Sequence, residues 1–278
     1  TNISIKYPVM NDVRIALVVL ECPVAEVNAN LNRVAEMVKA AGEKGADIVC
    51  FPELNITGYC TLDESRSVAL SIPGSVSRML EQLAAQQDVT ILAGMAEKGA
   101  GDLVYASHIV VTPAGVAGCY RKLHIAPPEQ TTFTAGDHIP IFGAGGIRFG
   151  IQLCYDTHFP ELAAHMALNG VDLIFMPHAS PRGTPDEKIN SWMRHLSARA
   201  FDNGLFIAAC NQTGSNCKGL EFAGVAVVIG PSGNILQKKT DSAEGILIAD
   251  LKADELENVR GHKMRYFLPN RRPELYLK

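Results

Sequence analysis

Three reactive side chains of the sequence each lie where an apolar stretch ends, the place where α/β proteins position their reacting groups. Cys154 closes the run IRFGIQL, Glu53 follows IVCFP, and Lys122 lies between an apolar hairpin strand and a Pro-rich loop. A thiol at a strand-to-helix turn becomes a nucleophile when a base accepts its proton. Desolvation raises the pKa of a carboxylate, which makes Glu53 a candidate base near neutral pH. Lys122 is a candidate cation for a developing oxyanion.

Each of these residues also has a simpler structural interpretation. A free cysteine is most often a small buried apolar residue. A glutamate at a strand end often caps a helix or forms an ion pair, and a lysine is usually exposed. Taken one at a time, the three residue types leave these alternatives open.

The elements that must position these residues follow an α/β pattern, because apolar runs rich in Val, Ile and Leu alternate with longer amphipathic stretches. The sequence predicts helices at 27–43, 75–87, 160–169 and 187–203. It predicts strands at 13–20, 46–52, 89–97, 104–112, 116–121, 147–153, 171–176, 205–210, 224–230 and 245–250. The stretches TPAGVAGCY, GPSGNILQK and FGAGGIRFG are typical of hairpins. No low-complexity linker divides the chain, so one domain is predicted over 1–278.

Two segments of the chain resemble each other. EKGADIVCFPEL and LNGVDLIFMPHA share a helix end, a Gly, an Asp, an apolar strand and a Pro, with Glu53 and His178 at equivalent places. The similarity favours two related α/β halves packed sheet against sheet. Any buried strand that leaves a helix through a Gly cap would give a similar pattern, so both interpretations stay open.

Composition excludes several functions. A formal net charge of −4 without a basic cluster argues against nucleic acid as a partner, and no apolar run approaches the length of a membrane span. The seven cysteines and eight histidines show no spacing typical of a disulfide framework or a metal site. We therefore expect a cytoplasmic protein with no bound metal.

In combination, the segments around the three residues resemble a known family. FPELNITGY, YRKLH and GIQLCYDTHFPE, in this order, are similar to the three signature segments of the nitrilase superfamily of carbon-nitrogen hydrolases. Further similarity lies in TTFTAGD, RAFDNGLFIAACNQTG and GPSGNIL, so that the resemblance extends over about residues 13–270. It implies an α/β fold, a four-layer αββα sandwich of two mixed sheets with helices on the outer faces.

The resemblance also implies the chemistry. The catalytic Glu, Lys and Cys of the family correspond to Glu53, Lys122 and Cys154, and a second glutamate of the family corresponds to Glu129. The implied reaction cleaves a small amide through a cysteine thioester, releases ammonia and a carboxylic acid, and needs no cofactor. Tyr155 would offer a backbone N–H to the oxyanion. Tyr-Asp after the nucleophile, where true nitrile hydrolases carry Trp-Glu, favours amides or N-carbamoyl compounds over nitriles.

Further residues are predicted to surround the catalytic group. Tyr59, His158 and His178 are candidates for lining the pocket, although a hydrogen-bonded structural role suits His178 equally well. Cys60 lies near Glu53 in sequence and is interpreted as a packing or lining residue.

The C-terminal segment is basic and aromatic and is interrupted by Pro. Such a segment, here about 255–278, rarely stabilises itself and often packs on a neighbouring subunit, so the sequence predicts a homodimer or a higher homo-oligomer. A solvated tail is the alternative. A catalytically idle binding or scaffold protein with the same fold is the alternative function, and a thiol, a base and a cation retained together argue against it.

Overall fold

The computed structural model describes residues 10–62 and 64–276. Its strands are β1 (Val13–Val19), β2 (Ile48–Cys50), β3 (Thr90–Lys98), β4 (Val104–Thr112), β5 (Gly115–Arg121), β6 (Phe142–Ala144), β7 (Ile147–Ile151), β8 (Leu173–His178), β9 (Phe206–Asn211), β10 (Thr213–Ser215), β11 (Glu221–Ala223), β12 (Ala226–Ile229), β13 (Ile235–Lys239) and β14 (Gly245–Leu251). Its helices are α1 (Val27–Glu43), α2 (Glu64–Ser67), α3 (Ser75–Gln87), α4 (Pro160–Leu168), α5 (Pro185–Met193), α6 (Leu196–Asn203), α7 (Ala253–Arg260) and α8 (Pro273–Tyr276). Short 3₁₀ turns cover Pro127–Glu129, Cys154–His158 and Leu268–Asn270.

Two six-stranded mixed sheets form the centre of the molecule. Their strand orders are β14-β1-β2-β3-β4-β5 and β13-β12-β9-β8-β7-β6. The three central strands β1, β2 and β3 are parallel, as are β7, β8 and β9, and the outer strands are antiparallel to their neighbours. Both sheets therefore share one pattern of parallel and antiparallel strand pairs, and the predicted α/β sandwich is confirmed.

Alternation along β1 shows how the layers are built. Ile15, Leu17 and Val19 belong to the core that includes the strands of the second sheet. The residues between them belong to the core under α1 and α3, since successive side chains of a strand point to opposite faces. The first sheet thus lies between its own helices on one side and the second sheet on the other.

The two segments that resemble each other in sequence also play the same structural role. Asp47 accepts a hydrogen bond from the backbone N–H of Arg14 (2.8 Å), and Asp172 accepts one from the backbone N–H of Arg148 (3.0 Å). Asp47 directly precedes β2 and binds β1, and Asp172 directly precedes β8 and binds β7. In each sheet, the Asp thus connects the first two of the three parallel strands. The interpretation as two related halves is favoured over a coincidental Gly cap.

The prediction of a single helix over 187–203 is wrong. The chain forms two helices there, α5 and α6, and the second begins after His195. His195 Nε2 lies 3.1 Å from Thr157 Oγ1, and the buried Arg199 donates to the backbone oxygens of Thr157 and His158. These contacts reorient the second helix, and no periodic pattern in the sequence encodes them. The three predicted hairpins are present as β4–β5, β12–β13 and β6–β7.

Much of the C-terminal segment packs on its own chain. Leu256 and Val259 of α7 are buried, as are Tyr266 and Leu268 beyond it. Arg260 anchors α7 through an ion pair with Asp172 (2.7 Å). Contact with a neighbouring subunit stays a prediction, as do the single domain and the homodimer.

Candidate active site

A buried lysine joins two buried carboxylates at the centre of the site. Lys122 follows β5, and its Nζ donates to Glu53 Oε1 (2.8 Å) and Glu129 Oε1 (2.9 Å). The hydroxyl of Tyr59 also donates to Glu129 Oε1 (2.9 Å). All four side chains are buried. The structure therefore brings together three of the four predicted catalytic residues, with the predicted pocket residue Tyr59 beside them.

The loop after β2 holds Glu53 in place. Leu54, the next residue, has a φ of 54°, a left-handed conformation that turns the chain sharply. Gln212 Nε2 donates to the backbone oxygen of Glu53 (2.7 Å). Gly94 of β3 must lack a side chain, because any Cβ there would collide with the backbone nitrogen of Leu54. Contacts from both sheets thus fix the backbone of the carboxylate.

The pKa values of this cluster are shifted by burial and by mutual charge. Burial raises the pKa of Glu53 to about 7, against the opposing attraction of Lys122. Burial disfavours the charged form of Lys122, yet the carboxylates of Glu53 and Glu129 outweigh it and raise the pKa of the amine. Lys122 stays an ammonium, and Glu53 can gain and lose a proton near neutral pH.

Cys154 lies where the second sheet reaches this cluster. It follows β7 as the first residue of a 3₁₀ turn and has a φ of 39°, a strained conformation for a residue with a side chain. The hydroxyl of Thr157 donates to the backbone oxygen of Cys154 (2.7 Å) and stabilises the turn. Strain of this kind is common where a fold presents a reactive group.

The thiol faces the carboxylate cluster. The backbone N–H of Ala179, at the end of β8, donates to Glu53 Oε2 (3.1 Å) and also lies within hydrogen-bonding reach of the Cys154 sulfur. Burial and the charge of Glu53 raise the pKa of Cys154, while Lys122 lowers it. The resting sulfur is therefore a thiol, and its attack on a substrate requires a base.

Asp156 is a structural residue of the site that the sequence did not reveal. This buried carboxylate accepts from the Tyr120 hydroxyl (2.7 Å), the His124 backbone N–H (2.8 Å) and the Leu153 backbone N–H (3.0 Å). It thereby connects the turn that carries the nucleophile to the segments on either side of Lys122. The sequence contained a signal for this role. Tyr120 and Lys122 are two residues apart, the spacing that places side chains on the same face of extended chain, and Asp156 follows Cys154 by two residues.

The predicted pocket residues differ in their surroundings. His178 is buried, and its Nδ1 lies 2.7 Å from the backbone oxygen of Met176 while the ring packs on Trp192 at 4.2 Å. Burial lowers the pKa of His178 to about 3, so the imidazole is neutral. These contacts match a structural role more closely than a part in binding.

Two further candidates lie on the turn after the nucleophile. Tyr155 is half-buried and meets the rings of His158 and Phe159 edge-on. His158 is exposed and stacks on His195 at 4.5 Å, which places it at the outer surface of the turn. The oxyanion role of Tyr155 and the binding role of His158 stay predictions. Cys60 is buried and accepts from the backbone N–H of Leu62 (3.4 Å), in agreement with a packing role.

Within residues 10–62 and 64–276, no group of three or more His, Cys, Asp or Glu side chains is arranged to hold a metal ion. No helix of this part of the chain is long and apolar enough to cross a membrane.

The fold and the cluster define a class of αββα sandwich proteins in which a cysteine faces a buried lysine and two glutamates. The family model of the carbon-nitrogen hydrolases matches residues 14–261. The chain therefore belongs to that family, and the resemblance to the nitrilase superfamily is confirmed.

Characterised relatives agree with this assignment. The chain is 31% identical over 276 residues to a nitrilase of Pyrococcus abyssi, with 96% of this chain and 100% of the relative covered. It is 31% identical over 233 residues to an (R)-stereoselective amidase of Pseudomonas sp., with coverages of 83% and 82%. A solved structure of a mutant of the Nesterenkonia sp. AN1 amidase, with acrylamide added at its active-site cysteine, matches at a TM-score of 0.78 and 25% identity. That match covers 90% of this chain and 97% of the amidase.

Proposed function

We propose that this protein is a cofactor-independent amidase that cleaves the carbon-nitrogen bond of a small amide. Cys154 is the nucleophile, Glu53 the general base, and Lys122 the group that stabilises the oxyanion. The observation that supports this most strongly is the buried ammonium of Lys122, bonded to both Glu53 and Glu129 beside the thiol. Three charged groups buried together are costly to a fold, which argues against an idle scaffold.

In the first half of the reaction, Cys154 attacks the amide carbon. Glu53 accepts the thiol proton as the sulfur-carbon bond forms, and the carbonyl electron pair moves onto oxygen. Lys122 and the backbone N–H of Tyr155 stabilise this oxyanion. When the carbonyl reforms, the carbon-nitrogen bond breaks, Glu53 returns its proton to nitrogen, and ammonia leaves a thioester on Cys154.

In the second half, water attacks the thioester carbon. Glu53 accepts a proton from the water, and the same donors stabilise the second oxyanion. Collapse breaks the carbon-sulfur bond, the sulfur recovers its proton from Glu53, and the carboxylic acid is released. A pKa of about 7 suits Glu53 to both directions of proton transfer.

Glu129 differs from Glu53 in its partners. Its Oε1 accepts from Lys122 and Tyr59, and its Oε2 accepts from the backbone N–H of Ala126 (3.0 Å). Because the carboxylate of Glu129 accepts three hydrogen bonds and that of Glu53 only two, Glu129 holds the ammonium in position and orients the substrate or the water. Glu53 raises the pKa of the Cys154 thiol more than Glu129 does, and we therefore assign Glu53 as the base.

Amides are the preferred substrates in this proposal. Tyr155 and Asp156 follow the nucleophile in place of the Trp-Glu pair of nitrile hydrolases, and two of the compared relatives are amidases. Nitriles are the second candidate, because the Pyrococcus abyssi relative is a nitrilase. N-carbamoyl amino acids would use the same thioester.

The test is ammonia release from a panel of short aliphatic amides, ω-amides of dicarboxylates, N-carbamoyl amino acids and nitriles. We expect turnover of at least one amide and its loss in Cys154→Ala. The matched control is Cys22→Ala, which removes a thiol that is buried away from the cluster. Release by Cys154→Ala at the wild-type rate would overturn the proposal.

A further inference from the structure

A second lysine lies close to the nucleophile. Lys188 is half-buried on α5, and its Nζ donates to Ser180 Oγ (2.9 Å) and to the backbone oxygen of Pro181 (3.0 Å). The resting sulfur of Cys154 is neutral, but a thiolate formed there would raise the pKa of Lys188. The site therefore has a cation besides Lys122, held by a different segment of the chain.

Hydrogen bonds hold the segment that contacts Lys188. Ser180 directly follows Ala179, whose backbone N–H faces both Glu53 and the thiol. The backbone N–H of Ser180 donates to Asn211 Oδ1 (2.8 Å), and Asn211 Nδ2 donates back to the oxygen of Ser180 (3.0 Å). Because both strand ends fix this loop, the ammonium has a defined position relative to the thiol.

The charge of Lys188 is not neutralised by the described residues. Three other cations packed into the fold face a carboxylate: Lys122 faces two, Arg121 faces Glu97, and Arg260 faces Asp172. Arg199 donates to backbone oxygens. Lys188 has only the neutral oxygens of Ser180 and Pro181, and burial without a counter-ion lowers its pKa. An ammonium has three N–H donors, so one donor and a full charge remain for a ligand.

The side of the site near Lys188 is lined by apolar residues that would pack against a short chain of methylene groups in a substrate. Pro181 pairs with Phe222, whose ring packs edge-on against Tyr59 at 6.3 Å. Phe222, Tyr59 and Ala179 belong to one small apolar cluster beside the catalytic residues. An acidic group of a substrate would be repelled by Glu53 and Glu129, whereas methylene groups would pack on these rings.

We propose that Lys188 binds a carboxylate of the substrate, so that the preferred substrate is the monoamide of a short dicarboxylic acid. This inference rests on the proposed function and names its substrate class. The amide carbon lies at Cys154, the carboxylate lies at the free donor of Lys188, and a few methylene groups connect them.

The experiment compares succinamate with butyramide, in which a methyl group replaces the carboxylate at the same chain length. Wild-type protein is expected to show a kcat/KM for succinamate at least tenfold above that for butyramide. In Lys188→Met, the ratio of the two values is expected to fall by about 10- to 100-fold, the range for loss of a charge-assisted hydrogen bond. Lys188→Arg keeps the charge and is expected to restore much of the ratio. Lys39→Met, at an exposed position on α1, is the control lysine and leaves the ratio unchanged.

Binding provides a second readout that is independent of the chemical steps. Calorimetry in a Cys154→Ala background is expected to show a Kd for succinamate that rises about 10- to 100-fold when Lys188→Met is added. If Lys188→Met fails to fold, Lys188→Gln replaces it in both experiments.

The outcomes separate this inference from the proposed function. Equal loss of activity toward succinamate and butyramide in Lys188→Met overturns the inference and leaves the amidase proposal standing. A higher kcat/KM of the wild-type protein for butyramide than for succinamate also overturns the inference and leaves the amidase proposal standing. Absence of activity on the whole panel, with no adduct at Cys154, overturns the proposed function and the inference with it.

Discussion

The ends of β2 and β8 occupy equivalent places in the two halves of the molecule, yet they carry opposite electrostatic environments. Glu53 follows β2 and faces the ammonium of Lys122, whereas His178 ends β8 and packs on the ring of Trp192. Burial raises the pKa of Glu53 to about 7 and lowers that of His178 to about 3. Burial favours the neutral form of both groups, but it leaves only the carboxylate poised to exchange a proton near neutral pH.

The comparison shows what the repeated scaffold determines and what its surroundings determine. The shared pattern of Gly, Asp, strand and Pro delivers a buried polar side chain to the same edge of each sheet. Whether that side chain can do chemistry depends on its neighbours, here Lys122 and Glu129 for Glu53 and an apolar ring with a backbone oxygen for His178. The β8 end still contributes to the site through the backbone N–H of Ala179.

The largest expected effect separates the two strand ends directly. Glu53→Gln removes the base and is expected to lower kcat/KM by about 10²- to 10⁴-fold, the contribution typical of a general base. His178→Gln is the matched variant and is expected to stay within tenfold of wild type. Steady-state ammonia release measures both, and circular dichroism confirms that each variant is folded.

A loss in His178→Gln as large as that in Glu53→Gln would contradict this contrast. It would give the histidine a direct part in the reaction.

A second contrast concerns the two equivalent aspartates. Asp172→Asn removes the buried carboxylate that forms an ion pair with Arg260 and is expected to cost about 3 kcal/mol of unfolding free energy, because breaking a buried ion pair is strongly destabilising. Asp47→Asn removes an exposed carboxylate from the same position of the other half and is expected to cost clearly less. Urea unfolding at pH 7 measures both, and equal losses would show that the shared backbone hydrogen bond dominates.

The pKa of Glu53 predicts the pH dependence of the reaction. The base must be ionised, and its pKa of about 7 means that it becomes protonated as the pH falls through 7. We expect kcat/KM to decrease about tenfold for each pH unit below that value. The measurement is a pH-rate profile between pH 5 and 8, and an activity that stays level down to pH 5 would exclude Glu53 as the base.

His178 predicts a dependence of stability on pH. Its folded pKa of about 3 lies below its ordinary value near 6.5, so the unfolded state binds a proton first as the pH falls. Its contribution to stability is present above pH 6.5 and decreases toward pH 3, by about 1.4 kcal/mol per pH unit. His178→Gln is expected to reduce the slope of unfolding free energy against pH by that amount between pH 6 and 5. An unchanged slope would mean that the imidazole is not held neutral.

Local patterns predicted most of the fold. Amphipathic spacing located α1 and α3, Pro160 located the start of α4, and the Gly and Pro signals located the three hairpins. The division of 187–203 into α5 and α6 was not predictable, because it follows from contacts of His195 and Arg199 with a turn nearly 40 residues earlier. Helix periodicity contains no information about such contacts.

The types of the catalytic residues and their order in the sequence predicted which of them come together in the site. A further lysine, which a different segment of the chain supplies, was missed. Glu53 and Lys122 are adjacent in space although 69 residues separate them. Lys188 gave no signal by itself, because a lysine on a helix is common and mostly exposed. Only the folding of the chain brings it to the catalytic cluster.

The central claim is that Cys154 carries the acyl group during turnover. The most direct measurement is mass spectrometry of the protein after acid quenching during turnover of succinamate or butyramide, followed by peptide mapping. The account predicts a mass increase equal to the substrate minus ammonia, located on Cys154 and absent in Cys154→Ala. An adduct on another of the seven cysteines, or continued ammonia release by Cys154→Ala, would contradict it.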